Sequence, residues 1–130
     1  MEEYCYLLLE PLLRNGSILD LRVGLEVSWE KPQDGVGRFQ AQEFDIVLTD
    51  GRRLYIIECK AGAVLSEHVY KLQNCVRNYG GVDARGILVS AFRPHHPVTR
   101  KRIETAANLS SLHGWDVTNK LASIVVESGG

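Results

Sequence analysis

From Ile18 to Trp29, Leu19, Leu21, Val23, Leu25 and Val27 alternate with Asp20, Arg22, Gly24, Glu26 and Ser28. A period of two over such a stretch predicts a strand with one buried face. Two further apolar runs, Glu43 to Thr49 and Arg53 to Lys60, flank Asp50-Gly51 and predict a hairpin. Between the first strand and this hairpin, residues 30 to 40 carry Pro32, Asp34, Gly35 and Gly37, which predicts a mobile loop. Glu2 and Glu3 before Tyr4, Cys5, Leu7, Leu8 and Leu9 predict a helix over residues 2 to 10, kinked or stopped by Pro11. Val69, Leu72, Cys75, Val76 and Tyr79 form a helical stripe over residues 66 to 79, with Ser66 as cap and Gly80-Gly81 as stop. GILVSAF at 86 to 92 predicts a short buried strand and Pro97 to Leu112 a further helix. Trp115 to Val126 fits either a short strand with a helical turn or an edge strand at Ala122 to Val126.

The order is helix, strand, strand, strand, helix, strand, helix. It predicts an α/β fold with a mixed sheet of four to five strands and helices on both faces. With 130 residues and 45% hydrophobic content, one domain over residues 1 to 127 is expected, followed by a disordered tail at 128 to 130. The three cysteines, Cys5, Cys59 and Cys75, form no CxxC pair, so a structural zinc site is not expected and reduced thiols in a cytoplasm fit best. No apolar run is long enough to cross a bilayer, which predicts no membrane partner. The net charge of -1 offers no global attraction to nucleic acid, so polyanion binding would have to come from local clusters and bound cations.

Charged residues inside otherwise apolar strands change the picture. Asp45 lies in EFDIVL, and Glu58 and Lys60 lie in LYIIECK. With Asp50 and Gly51 as the two central residues of the turn, Thr49 lies opposite Arg52 and Asp45 opposite Ile56. Glu58 and Lys60 then share the face of Asp45, with Asp45 and Glu58 as diagonal neighbours about 7 Å apart. Two carboxylates so placed repel unless a cation lies between them, and hard oxygen donors suit Mg²⁺ or Mn²⁺. A nearby ammonium can orient a water and offset developing negative charge. On these residues alone, a solvated face or a structural ion network fits as well.

The spacing Asp45…Glu58-x-Lys60 resembles the signature of the PD-(D/E)xK nuclease superfamily, with Phe44 where the family name has proline. EEYCYLLL, QEFDIVLTDGRRLYIIECKAG, YKL at 70 to 72 and GILVSAFRP before a basic helix are similar to the nuclease domain of CRISPR ancillary effectors. That resemblance implies a restriction-endonuclease-like fold and a metal-dependent endonuclease acting on DNA, with RNA as a second substrate. It implies Asp45, Glu58 and the backbone carbonyl of Cys59 as metal ligands and Lys60 as the residue that positions the water. A first-helix glutamate, Glu2 or less favoured Glu3, would join them, and Lys71 would touch phosphate. In those effectors a cyclic-oligoadenylate-sensing CARF domain precedes the nuclease domain, whereas here Met1 directly precedes the first helix. The expectation is therefore a nuclease acting as a homodimer in antiviral defence, with any sensor supplied by a separate or CRISPR-associated protein. A catalytically silent module that binds nucleic acid or protein, and a junction-resolvase-type dimer, are the alternatives.

The densest basic stretch, Arg93, His95, His96, Arg100, Lys101 and Arg102, is either a solvated helix face or a nucleic-acid contact through Arg93, Arg100, Lys101 and Arg102. Adjacent His95 and His96 are poor metal ligands, and His68 reads as a helix-face residue. Trp29, Phe44, Tyr55 and Trp115 are assigned to packing.

Overall fold

The computed structural model describes residues 1–30, 39–80 and 83–128, with side chains outside 27–42 and before residue 127. Among these, α1 (Glu2–Arg14) leads into strands β1 (Asp20–Glu30), β2 (Phe39–Thr49) and β3 (Leu54–Lys60). Helix α2 (Ser66–Cys75) runs into a π-helical turn at Val76–Gly80, followed by β4 (Arg85–Ser90), α3 (Pro97–Thr105), β5 (Leu109–His113) and α4 (Trp115–Ser128). The five strands form one sheet in the order β1-β2-β3-β4-β5, antiparallel through β3 and parallel from β3 to β5. Cys5 and Leu9 of α1 and Val117, Leu121 and Val125 of α4 pack on one face against Ile46, Tyr55 and Ile57. Val69, Leu72 and Cys75 of α2 cover the other face against Val47, Ile56 and Leu88, with Ile103 of α3 at its margin. The predicted α/β architecture with helices on both faces is the observed one, a restriction-endonuclease-like fold.

Several local expectations are corrected. Helix α1 continues through Pro11 to Arg14, because Leu7 and Pro11 both lie on its exposed side, where water replaces the lost donor. Among the described side chains of the alternating apolar row, Leu21 is buried in a core, while Leu19, Val23 and Leu25 are exposed. β1 is an edge strand, and its Leu21 packs in the same core as Cys5 and Leu9 of α1. Ser66 does not cap α2; its hydroxyl is 2.8 Å from that of Thr99, and His68 Nδ1 instead accepts the Leu65 N–H at 3.0 Å. His96, in turn, caps α3 by accepting the Val98 N–H at 3.2 Å.

The helix expected over 97 to 112 ends at Thr105, and Leu109–His113 is a strand. Residues read as a helical stripe are drawn into extended backbone because β4 would otherwise leave a row of unpaired N–H and C=O groups. Neither the short strand with a helical turn nor the edge strand at Ala122 to Val126 is formed: Trp115–Ser128 is helix α4, built on Val117, Leu121 and Val125 at intervals of four. Ser128, expected in the tail, ends that helix, and residues 129–130 lie outside the described residues. The loop expected over 30 to 40 also lies outside them, apart from its ends, where Glu30 pairs with Phe39 and Trp29 with Gln40.

Gly86 of β4 shows how tightly α2 rides on the sheet. A Cβ there would lie 2.5 Å from Leu109 Cδ2 and 2.9 Å from Val76 Cγ2, both inside contact distance. Gly86→Ala is expected to destabilise the fold by about 1–3 kcal/mol through overpacking. A urea midpoint equal to that of the unsubstituted protein would refute this.

Candidate active site

The hairpin between β2 and β3 sets the geometry, and its turn is longer than expected. Thr49 pairs with Leu54 and Val47 with Ile56, so residues 50–53 all belong to the turn, and Asp45 does not oppose Ile56. The Asp50 carboxylate causes this by accepting the N–H groups of Arg52 at 2.9 Å and Arg53 at 2.7 Å, which folds two extra residues into the loop. A slip of two residues keeps the parity of faces. Asp45 therefore lies one step beyond the Ile46–Ile57 pair, directly across from Glu58 instead of diagonal to it.

The strands part at that point. Asp45 Oδ2 accepts the Cys59 N–H at 2.8 Å, so a carboxylate replaces the strand partner at the end of the β2–β3 ladder. On the other side, the β1–β2 pairing runs Asp20–Thr49 to Val23–Ile46 and resumes at Leu25–Phe44, passing over Gly24 and Asp45. Gly24 has φ +63°, in the left-handed region open to glycine at little cost, and it bends β1 away there. Because the N–H and C=O of one extended residue point to the same edge, the Cys59 carbonyl also faces β2. The Lys60 carbonyl points the other way and accepts the Ala91 N–H at 3.4 Å.

Glu58 is half-buried, with the Asp45 carboxylate beside it. Burial first, and the negative charge of Asp45 second, push its carboxyl up to about 7, against the pull of Lys60 and Lys71. Glu2, at the N-terminus of α1, lies near Asp45, which is the main reason its carboxyl is raised. Glu3 points elsewhere, into a cavity with Tyr6, Leu7 and Val23.

Lys60 and Glu58 line a cavity of about 300 Å³ whose other wall is α2, with Glu67, His68 and Lys71. Burial and the charge of Lys60 lower the His68 pKa, which favours the neutral ring that accepts the Leu65 N–H. The structure thus brings Glu2, Asp45, Glu58, Lys60 and Lys71 to one end of the sheet. Glu67 was not singled out by sequence reasoning; its place four residues before Lys71, on one face of α2, was the available signal.

The basic stretch is divided. Arg102 lies 3.8 Å over the ring of Tyr70 and ties α3 to α2, Lys101 is exposed, and Arg93 and Arg100 line a second cavity beside β5. The aromatics are divided as well: Phe44 and Tyr55 are buried, whereas Trp115 is 83% exposed and is no packing residue. The Trp29 side chain lies outside the described residues. Cys59 directs its Sγ to the opposite face, 3.9 Å from Cys5 Sγ, and Cys5, Cys59 and Cys75 form no disulfide. The bond to Cys5 and burial both raise its thiol pKa.

Among the described residues, no three His, Cys, Asp or Glu side chains converge as a ready metal cluster. The donor set that fits a cation is smaller: the Asp45 and Glu58 carboxylates with the Cys59 carbonyl. These are hard oxygen donors, and the negative charge of Asp45 that helps raise Glu58 is what a divalent ion relieves. No helix among the described residues is long and apolar enough to cross a membrane.

A family model described as "Card1-like, endonuclease domain" matches residues 1–127. Among solved structures, protein VC1899 from Vibrio cholerae superposes with a TM-score of 0.80 at 23% identity, over 97% of this chain and 32% of that one. Can2 from Sulfobacillus thermosulfidooxidans, in complex with cyclic tetra-adenylate, gives 0.71 at 19% identity, over 99% of this chain and 35% of that one. The small subunit of the heterodimeric restriction endonuclease R.BspD6I gives 0.56 at 17% identity, over 97% and 76%. The chain thus spans about a third of the length of the first two. No curated protein matches it by sequence.

Proposed function

From the premise that the chain belongs to the Card1-like endonuclease domain family, we propose that it hydrolyses phosphodiester bonds in DNA, and in RNA as a second substrate, with Mg²⁺ or Mn²⁺. The observation that carries this reading is the Asp45 carboxylate, held by the Cys59 N–H at 2.8 Å where β2 and β3 part, beside a half-buried Glu58 that lines one cavity with Lys60. Asp45, Glu58 and the Cys59 carbonyl hold the ion. When bound, the ion neutralises the carboxylates and polarises the phosphate as a Lewis acid.

The chain's own residues do the rest. Lys60 donates to the attacking water, orients it, and offsets the charge that grows on the phosphate oxygens. Lys71, across the cavity, contacts a phosphate oxygen and draws the polyanion in. Glu2, near Asp45, adds a further carboxylate at the edge of the site. The bond from the Cys59 N–H holds Asp45, so the donor set is positioned before substrate arrives.

A homodimer in the cytoplasm, acting in antiviral defence, is the setting that fits this chemistry. The cyclic tetra-adenylate complex of the Can2 relative and the heterodimeric assembly of the restriction enzyme support regulation by a sensor or second subunit beyond these residues. A supercoiled-plasmid assay with Mn²⁺, Mg²⁺ and EDTA tests the reading. Nicking with either ion and none in EDTA is expected; cutting that persists in EDTA, or no cutting of DNA or RNA with either ion, would sink it.

A further inference from the structure

The second cavity, about 470 Å³, lies between α3 and the edge strand β5. Arg93, from the β4–α3 connection, and Arg100, from the first turn of α3, face it from one side, and Ser111 and His113 of β5 from the other. Among the described residues neither guanidinium lies within ion-pair distance of a carboxylate. Ser111 Oγ and His113 Nδ1 are screened from bulk water and have no hydrogen-bond partner in the protein. Buried polar atoms are nearly always paired, so two orphans on one wall call for a ligand that both bonds them and balances the arginines. A phosphate does both: its oxygens accept from guanidinium, hydroxyl and imidazole N–H alike. Glu104 shares the wall and offsets one of the two guanidinium charges, which leaves a site of modest affinity suited to holding a chain that must also be released.

Register ties this cavity to the cleavage site. Lys60 pairs with Ser90 and Ser90 with His113, while Glu58 pairs with Leu88 and Leu88 with Ser111. Directly paired residues of parallel strands share a face, so Glu58, Lys60, Ser111 and His113 all look out from the same side of the sheet. Two strand spacings separate the pairs, about 10 Å. Ser90, between them, is fully buried and spends its hydroxyl on the Phe92 carbonyl at 2.8 Å, so it offers the polynucleotide no contact of its own.

We propose that Arg93, Arg100, Ser111 and His113 form a phosphate-binding subsite for the polynucleotide cut at Asp45, Glu58 and Lys60, two strand spacings, about 10 Å, from the scissile bond. This rests on the nuclease reading above. The subsite holds the backbone and reads no base, and it divides the basic stretch into Arg93 and Arg100, which bind, and Arg102, which packs on Tyr70.

The test uses the full chain and fluorescence anisotropy with a labelled single-stranded 12-mer in EDTA. An R93A/R100A variant is expected to bind roughly tenfold more weakly, with the salt slope of log K reduced by about 1.4 for two lost phosphate contacts. S111A should weaken binding several-fold without lowering Tm, which a merely structural hydroxyl would not do, and R100K should recover part of the salt slope. In cleavage, the R93A/R100A defect should fall on KM and shrink for dinucleotide substrates too short to reach the cavity. Binding of the 12-mer that is absent in the unsubstituted protein, or equal in R93A/R100A, overturns the subsite, as does an equal KM defect on short and long substrates. Arginine-dependent binding without cleavage by any divalent ion would leave the subsite standing and remove the nuclease reading; cleavage with arginine-independent binding would do the reverse.

Discussion

Lys60→Ala should reduce metal-dependent cleavage by on the order of 10²- to 10³-fold, the scale seen when a preorganised donor to a charged transition state is removed. Two effects contribute. The ammonium no longer orients the attacking water, and Glu58 loses the cation that holds its carboxyl down, so more of it stays protonated. Raising the pH separates them. If cleavage recovers fully above pH 8, Lys60 acts only through Glu58; a deficit that persists there is expected and marks a direct role. Glu58→Ala should abolish cleavage by removing a ligand of the ion. It should also raise Tm in EDTA at pH 8, because an ionised, half-buried carboxylate facing Asp45 strains the metal-free fold. Undiminished cutting by both variants would reject the site.

Proton and metal ion are expected to compete for Glu58. Its carboxyl stands at about 7 in the folded protein against 4.5 for an ordinary glutamate. Because the folded-state value is raised, the stabilisation it gives is fully present below 4.5 and is lost as pH rises through about 7. In EDTA, Tm should therefore fall between pH 5 and pH 7.5, and Glu58→Gln should flatten that fall. Mn²⁺ binds the ionised form, so its affinity should weaken by about tenfold for each pH unit below 7. Isothermal titration of Mn²⁺ from pH 5.5 to 8 measures this. A flat affinity across that range, or one retained by Glu58→Gln, would mean that Glu58 is no ligand.

Both predictions depend on Asp45 and Glu58 meeting, and here local pattern and tertiary structure contributed differently. The parity of the hairpin was legible: with alternating side chains, any even slip leaves Asp45, Glu58 and Lys60 on one face. Turn length was not, because it hangs on where the Asp50 carboxylate folds back, onto Arg52 and Arg53. Glu2 could be placed beside Asp45, and Glu3 apart from it, only once α1 was docked, since helical spacing alone leaves both at the N-terminus. The segment from Pro97 to His113 misled for a related reason. Its apolar residues fit a helical period, but the open edge of β4 imposes hydrogen-bonding demands that no local window contains. The Ser111 and His113 wall of the second cavity was hidden by the same error, because it exists only when that segment is a strand.

Taken by itself, the chain determined its element types from α1 to β4, the sheet-with-helices architecture and the three charged residues worth testing, because periodicity and charge in an apolar strand are local properties. Tertiary structure alone decided which carboxylates lie side by side, how far Glu58 is driven up, that β1 exposes Val23 and Leu25, and that Arg93 and Arg100 face a cavity while Arg102 stacks on a ring. Those are consequences of distance and burial between segments remote in sequence, and neither quantity exists until the sheet has closed.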